Sequence, residues 1–158
     1  MTAAGGWTRA ALTAAVVVLI DQLAKLWAVD AVARGAREKL FLFVDLVNVR
    51  NSGVAFGQLQ NGGVIVGLVV AIALIALLVF FSRNATRPLA WLPVGMLLGG
   101  AIGNAIDRIR LGAVVDYIKL PNWPAFNVAD MAITVGVVLL VVVIERAARH
   151  EDAAPGPA

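Results

Sequence analysis

Four apolar stretches of near-membrane length divide the chain. Two of them carry no charge over 18 residues, and about 20 apolar residues let a helix cross roughly 30 Å of hydrocarbon. The pattern predicts a mainly α-helical membrane protein, a bundle of four transmembrane helices in a single domain over residues 1–158. The predicted spans are about residues 10–29, 64–81, 89–106 and 125–146.

The connections between these spans differ in length and pattern. The two long ones, about 30–63 and 107–124, contain KLFLFVDLVNV at 39–49 and VVDYIKL at 114–120. Runs rich in β-branched and aromatic residues predict strands, so we expect a small sheet outside the membrane. The tail at 150–158 has the Pro, Gly and Ala content of a loose segment.

An even number of spans places both termini on one side of the membrane and both long connections on the other. Polar residues that are unusual in spans collect at the span ends facing the long connections, so one face carries the candidate chemistry. The Lys and Arg counts, five on the short-connection side and seven on the other, do not decide which face is cytoplasmic. The segregated residues are Asp21, Lys25, Asn51, Asn104, Asp107, Arg108, Asn127 and Asp130.

Composition removes several classes of chemistry. The chain is 61% apolar, has no cysteine, and has a single histidine, His150, in the tail. We therefore expect no zinc site, no other metal and no cofactor. The net charge of +3 comes from scattered residues and predicts no nucleic-acid partner. Neither Ser52 nor Ser82 lies in a GxSxG motif, although a Ser52–Lys25 dyad stays an alternative.

Most of the ionisable residues in the spans have a structural alternative to catalysis. Asp21 and Lys25 are four residues apart on one helix and can neutralise each other. Asp107 and Arg108 can form a local ion pair at a helix end. A stripe of small residues is more typical of close helix packing than of a substrate path, and it consists of Gly95, Gly99 and Gly103.

Two aspartates lack an obvious basic partner in the sequence. Asp130 has none within one helical turn, and Asp116 stands in the apolar run VVDYI. Two carboxylates that approach each other in apolar surroundings share a proton, as in aspartic proteases. Asp130 also has a structural alternative, as an acid in the first turn of a helix. The residues therefore favour a carboxylate-based hydrolytic site.

Five strings, in order over nearly the whole chain, resemble those of the bacterial lipoprotein signal peptidases, the signal peptidase II family of aspartic peptidases. Each string is weak alone, but five in order are specific. The departures are mild: Tyr117 follows an aspartate where Phe is common, and RNSGVAFG stands where Thr and Ala are common. The strings are DQLAK at 21–25, VRNSGVAFG at 49–57, GGAIGNAIDR at 99–108, VVDYI at 114–118 and FNVAD at 126–130.

The resemblance implies an endopeptidase that removes the signal peptide from diacylglyceryl-modified prolipoproteins, cleaving just before the lipidated cysteine. It implies that Asp116 and Asp130 form the catalytic pair. Other positions matching the family's motifs orient this pair, bind substrate or support the site. These are Asp21, Lys25, Asn51, Gly103, Asn104, Asp107, Arg108 and Asn127.

The resemblance also implies a location and partners. Both termini are expected in the cytoplasm and the active site at the extracytoplasmic side of the inner membrane. The long connections are expected to form a sheet cradle and a short interfacial helix. Prolipoproteins and membrane lipid are the expected partners, globomycin-type compounds the expected inhibitors, and a monomer the expected state.

Two other classes of function stay open from the residues. A small proton-coupled transporter or channel also places Asp and Lys within its spans, but it predicts polar residues at mid-depth or on both faces. A non-enzymatic membrane scaffold leaves Asp116 and Asp130 without partners. The collection of polar residues at one face favours a one-sided site.

Overall fold

The protein is mainly helical, with a small sheet. The structure is a computed structural model that describes residues 1–52 and 62–152, without the side chains of 62–67 and 150–152. In chain order the elements are α1 (Ala3–Ala31), β1 (Arg37–Phe41), β2 (Val44–Asn51), α2 (Gly62–Asn84), α3 (Trp91–Leu111), β3 (Val114–Lys119) and α4 (Val128–Asp152).

The helices differ in how well they suit a membrane. By length and composition, Ala3–Ala31 and Val128–Arg149 are apolar enough to cross one, and Leu68–Asn84 is a shorter apolar helix. α3 is less apolar because glycines, Asn104, Asp107 and Arg108 interrupt its hydrophobic residues. Many large apolar side chains of α1, α2 and α4 are exposed, which suits surfaces that face lipid.

Two helix starts depart from the predicted span boundaries for local reasons. α1 already begins at Ala3, because the Thr2 hydroxyl accepts a hydrogen bond from the Gly5 amide at 3.1 Å and caps the helix. α4 begins only at Val128, because Phe126 is still paired with Ile118 in a β-bridge. Apolar length alone does not locate either boundary.

The strands form one antiparallel sheet in the order β1–β2–β3. The runs that predict strands in both long connections therefore form them. β2 aligns Val49 with Asp116 of β3, which brings the first connection beside that aspartate. The predicted interfacial helix has no counterpart in residues 112–127, which hold β3 and turns, and residues 53–61 of the first connection lie outside the described residues.

The glycine stripe of α3 packs against α1. A Cβ added at Gly95 would lie 2.6 Å from the Thr13 Cβ, and one at Gly99 would lie 2.7 Å from the Val17 Cβ. These distances leave no room for a side chain, so the stripe lets the two helix backbones approach closely. The packing interpretation of the stripe is therefore right for these glycines.

Candidate active site

Buried polar residues gather where the second half of α1, the end of α3, β3 and the start of α4 meet. Each has less than a tenth of its surface exposed, and Asp21 and Asn127 have none. Buried polar groups cost free energy unless they are hydrogen-bonded, so their partners determine what the cluster does. The members are Asp21, Lys25, Asn104, Asp107, Asp116 and Asn127.

Lys25 is the positive centre of this cluster. Its Nζ lies 2.8 Å from Asp21 Oδ2 and 2.9 Å from Asp107 Oδ2. It also donates to Asn104 Oδ1 at 3.0 Å. Three acceptors therefore face the three ammonium protons, which disfavours the Ser52–Lys25 dyad.

The sequence offered two local ion pairs as structural alternatives to catalysis, and the structure contains one of them. Asp21 and Lys25 do pair on one helix. The expected local pair of Asp107 with Arg108 is wrong, because Asp107 pairs with Lys25 of α1 instead. Arg108 is exposed, and its guanidinium donates to the Asn104 carbonyl at 3.4 Å.

Both carboxylates that bind Lys25 also accept backbone hydrogen bonds. Asp21 Oδ1 accepts from the Ala129 amide at 2.9 Å, in the first turn of α4. Asp107 Oδ2 accepts from the Val115 amide at 3.0 Å, in β3. The network therefore joins α1 to α4, which carries Asp130. It also joins α3 to β3, which carries Asp116.

Gln22 belongs to the same network, although it is not among the site residues predicted from the sequence. Its Nε2 lies 3.2 Å from Asp21 Oδ2, from Asp107 Oδ1 and from the Gly103 carbonyl oxygen. Its place beside Asp21 in a predicted span, where uncharged polar residues are unusual, is a weak indication of a role in the site. It bridges the two carboxylates on the side of Gly103.

Gly103 makes room for the Asp21 carboxylate. A Cβ built at this position would lie 2.6 Å from Asp21 Oδ2 and 3.2 Å from its Cγ. Only glycine therefore lets the carboxylate reach Lys25 and the start of α4 without displacement. The predicted supporting role of Gly103 has a steric basis.

Asp116 is held by two amide side chains. Its Oδ2 accepts from Asn51 Nδ2 at 2.8 Å, and its Oδ1 accepts from Asn127 Nδ2 at 2.9 Å. Burial raises the pKa of Asp116 to about 6; the hydrogen bond from Asn51 opposes this rise, and the negative charge of Asp130 adds to it. Asp116 is therefore a carboxyl group that can keep a proton under mildly acidic conditions.

Asp130 lies in the first turn of α4 and is half-buried. Its Oδ1 accepts from Asn104 Nδ2 at 2.8 Å, and its Oδ2 accepts from the Asn127 backbone amide at 3.2 Å. Its own amide donates to Asn127 Oδ1 at 2.9 Å, so Asn127 and Asp130 cap the helix start reciprocally. Asp130 is thus a first-turn acid that is also oriented by a side chain of α3.

Asn127 links the two aspartates. While its Oδ1 and backbone amide bind Asp130, its Nδ2 donates to Asp116 and lies 3.1 Å from Asn104 Oδ1 and 3.2 Å from the Val115 carbonyl oxygen. One residue therefore touches both carboxyl groups and sets their relative position. Such a pair can act as a general acid and a general base on the same substrate.

Tyr117, the departure from the family pattern, follows Asp116 in β3. Its side chain packs with Ala28, Val32 and Leu46, and its hydroxyl is buried. Burial, aided by the charge of Asp21, raises the pKa of Tyr117 to about 12. The hydroxyl therefore stays protonated at neutral pH.

A family model for signal peptidase (SPase) II matches residues 13–145. This range contains all the predicted site residues, from Asp21 to Asp130. The chain belongs to the signal peptidase II family. Membership bears out the family resemblance of the five strings and makes the protein a membrane peptidase; it does not favour the transporter alternative.

Named relatives agree with the signal peptidase II assignment. The chain is 40% identical over 144 residues to the lipoprotein signal peptidase of Rhodopseudomonas palustris, with 82% of this chain and 87% of the relative covered. It is 43% identical over 131 residues to that of Moorella thermoacetica, with the same shares covered.

Solved structures extend the likeness to the fold. One bacterial membrane enzyme, determined by the in meso method at 1.9 Å resolution, matches with a TM-score of 0.78 and 33% identity, covering 85% of this chain and 91% of that one. A second, at 2.3 Å resolution, gives a TM-score of 0.79 and 30% identity, covering 94% of both chains. The fold is therefore that of a membrane enzyme.

Proposed function

We propose that the protein is an aspartic endopeptidase that removes the signal peptide from diacylglyceryl-modified prolipoproteins, with Asp116 and Asp130 as its catalytic pair. Cleavage falls just before the lipidated cysteine. The observation that carries the proposal is the contact of Asn127 with both carboxyl groups: its Nδ2 donates to Asp116 Oδ1 at 2.9 Å, and its backbone amide donates to Asp130 Oδ2 at 3.2 Å. Family membership supplies the substrate class.

The proposed mechanism uses one proton shared by the pair. The ionised carboxylate takes a proton from a water molecule, which attacks the scissile carbonyl carbon, while the protonated carboxyl donates its proton to the carbonyl oxygen. When the tetrahedral gem-diol intermediate collapses, the C–N bond breaks and the leaving amine receives a proton from the first carboxyl. The second carboxylate takes a proton back from a hydroxyl of the gem-diol, which becomes the carboxylic acid of the product. The pair then again holds one proton.

Neighbouring residues would orient the pair and hold its frame. Asn51 and Asn127 orient Asp116, and Asn104 orients Asp130. The buried network holds the helix and strand ends in place, and its members are Asp21, Lys25, Gly103 and Asp107. Arg108, whose exposed guanidinium donates to the Asn104 carbonyl, would contact substrate.

The same proposal includes four membrane spans in one domain, both termini in the cytoplasm and the site at the extracytoplasmic side. A signal peptide that has been exported is cleaved outside, so the aspartates and the sheet belong on that face. A position of the sheet at the membrane surface is supported by exposed apolar side chains at the β1–β2 turn and by exposed Trp123. The apolar side chains at the turn are those of Leu40, Phe41, Leu42 and Phe43. The short interfacial helix stays a prediction.

A cleavage assay tests the substrate class. The purified protein in lipid vesicles is incubated with a diacylglyceryl-modified prolipoprotein and with the same precursor carrying Ser in place of the lipidated cysteine. We expect cleavage only of the modified precursor, with the cysteine as the new N-terminus, and inhibition by a globomycin-type compound. Equal cleavage of both precursors would contradict the substrate assignment, and proton flux without cleavage would favour the transporter.

A further inference from the structure

A groove lies at the end of the protein opposite the aspartates, between the turn that precedes α3 and the last turns of α4. Its volume is about 650 Å³, within the range of small-molecule sites. We name it the arginine groove. Its defining residues are Arg87, Leu89, Leu92, Leu139, Val143 and Arg146.

The groove exists because α4 extends past the start of α3. The two helices are in close contact at Gly136, where an added Cβ would lie 3.0 Å from Leu97 Cγ and 3.2 Å from the Pro93 carbonyl oxygen. α3 begins at Trp91, whereas α4 continues to Asp152. Beyond the contact, α4 therefore faces the turn that contains Arg87 instead of a helix.

One face of α4 supplies both the floor and one end of the groove. Leu139, Val142, Val143 and Arg146 follow one another at spacings of three, one and three residues, which is the repeat of a single helix face. The floor is apolar along its length, Arg146 follows at the C-terminal end of this helix face, and Arg87 also lines the groove. This is the arrangement that an acyl chain joined to an anionic group requires.

Basic residues outnumber acidic residues at this end of the protein. Arg9 lies here as well, 5.9 Å from the centre of the Trp91 ring. The sequence has five arginines here and three acidic residues, Glu145, Glu151 and Asp152. Among the side chains that the structure describes, Arg146 makes no hydrogen bond or ion pair. The five are Arg9, Arg83, Arg87, Arg146 and Arg149.

We propose that the arginine groove binds one anionic phospholipid, with the phosphate on Arg146 and Arg87 and an acyl chain along the apolar floor. Guanidinium groups pair with phosphate oxygens through two parallel hydrogen bonds. Basic pockets between membrane helices are typical sites for anionic lipid headgroups. A water-soluble anion would leave the floor exposed to water, whereas a phospholipid covers it.

Native mass spectrometry of the full-length protein in uncharged detergent tests the proposal. Phosphatidylglycerol and phosphatidylcholine with the same acyl chains are added separately. We expect one phosphatidylglycerol to bind with a preference of about fivefold for each arginine involved. Arg146→Gln should remove most of this preference, whereas Arg149→Gln, on the same helix but outside the groove, should keep it.

A second pair of variants tests the apolar floor. Val143→Trp should fill the groove and weaken retention of phosphatidylglycerol, whereas Val138→Trp should not, because Val138 is 59% exposed and outside the groove. Peptidase activity reports folding, since the aspartates lie at the other end. Equal binding of the two lipids, equal loss in Arg146→Gln and Arg149→Gln, or equal competition by glycerol phosphate would each overturn the proposal.

Discussion

At the scale of single residues, the environment of Asp116 predicts a pH dependence. Its pKa is raised to about 6, so its carboxyl ionises as the pH rises through that value. The proposed mechanism needs one proton on the pair, and kcat/KM should therefore fall above about pH 6. Asn51→Ala removes a hydrogen bond that favours the ionised form, so the fall should move to higher pH.

The measurement is the pH profile of kcat/KM for the parent and for Asn51→Ala with the same lipidated substrate. Asp130 and Lys25, the charged groups that also act on Asp116, are unchanged in both proteins. A shift of the alkaline limb to lower pH in the variant would contradict this account of Asp116.

Gly103 gives a second prediction at the residue scale. In Gly103→Ala the new methyl group would lie 2.6 Å from Asp21 Oδ2, and overpacking of this kind costs roughly 1–3 kcal/mol. We expect a lower Tm and weaker cleavage, because the Asp21 contacts with Lys25 and α4 must shift. Ala105→Ser, which adds one atom at an exposed position of α3, should change neither by much. An equal loss in both variants would argue against the steric explanation.

At the scale of elements, the start of α4 combines a helix cap with a link between the aspartates. Asn127→Ala removes both and should cost about 1 kcal/mol of stability. Asn127→Ser keeps an oxygen that can accept from the Asp130 amide but lacks the Nδ2 that donates to Asp116. We expect near-parental Tm for the Ser variant but about 10²-fold less cleavage for both. Thermal unfolding and cleavage rates check this, and an active Ser variant would contradict the linking role.

The elements themselves were largely predictable from local patterns. The runs of β-branched residues around Val49 and Asp116 form β2 and β3, because such residues suit a sheet. The glycine stripe packs against α1 as its spacing suggests. The start of α1 at Ala3 was missed, because a cap by Thr2 is a local hydrogen bond that apolar length does not register.

Tertiary partners were less predictable. Asp107 is next to Arg108 in sequence but pairs with Lys25, because α1 and α3 pack closely along the glycine stripe. Gln22 was missed for the same reason: its three partners come from two helices. Spacing within one helix identifies possible pairs, but only packing decides between them.

At the scale of the whole molecule, the proposed topology is open to single-cysteine labelling, because the chain has no cysteine. Glu38→Cys and Asn122→Cys lie in the long connections, and Thr86→Cys lies at an exposed position of the turn before α3. A membrane-impermeant maleimide added to spheroplasts, in which the outer face of the inner membrane is accessible, should label only the first two variants. Labelling of Thr86→Cys without permeabilisation would contradict the orientation.

The central claim is that Asp116 and Asp130 act together on the scissile bond. The most direct test is the single-turnover rate at which the lipidated prolipoprotein is cleaved by Asp116→Asn, by Asp130→Asn and by a control, Asp45→Asn, whose carboxylate pairs with Arg37 in the same sheet. We predict that both dyad variants fold but lose at least about 10²-fold in rate, while the control keeps near-parental activity. A folded dyad variant that cleaves at the parental rate would contradict the account.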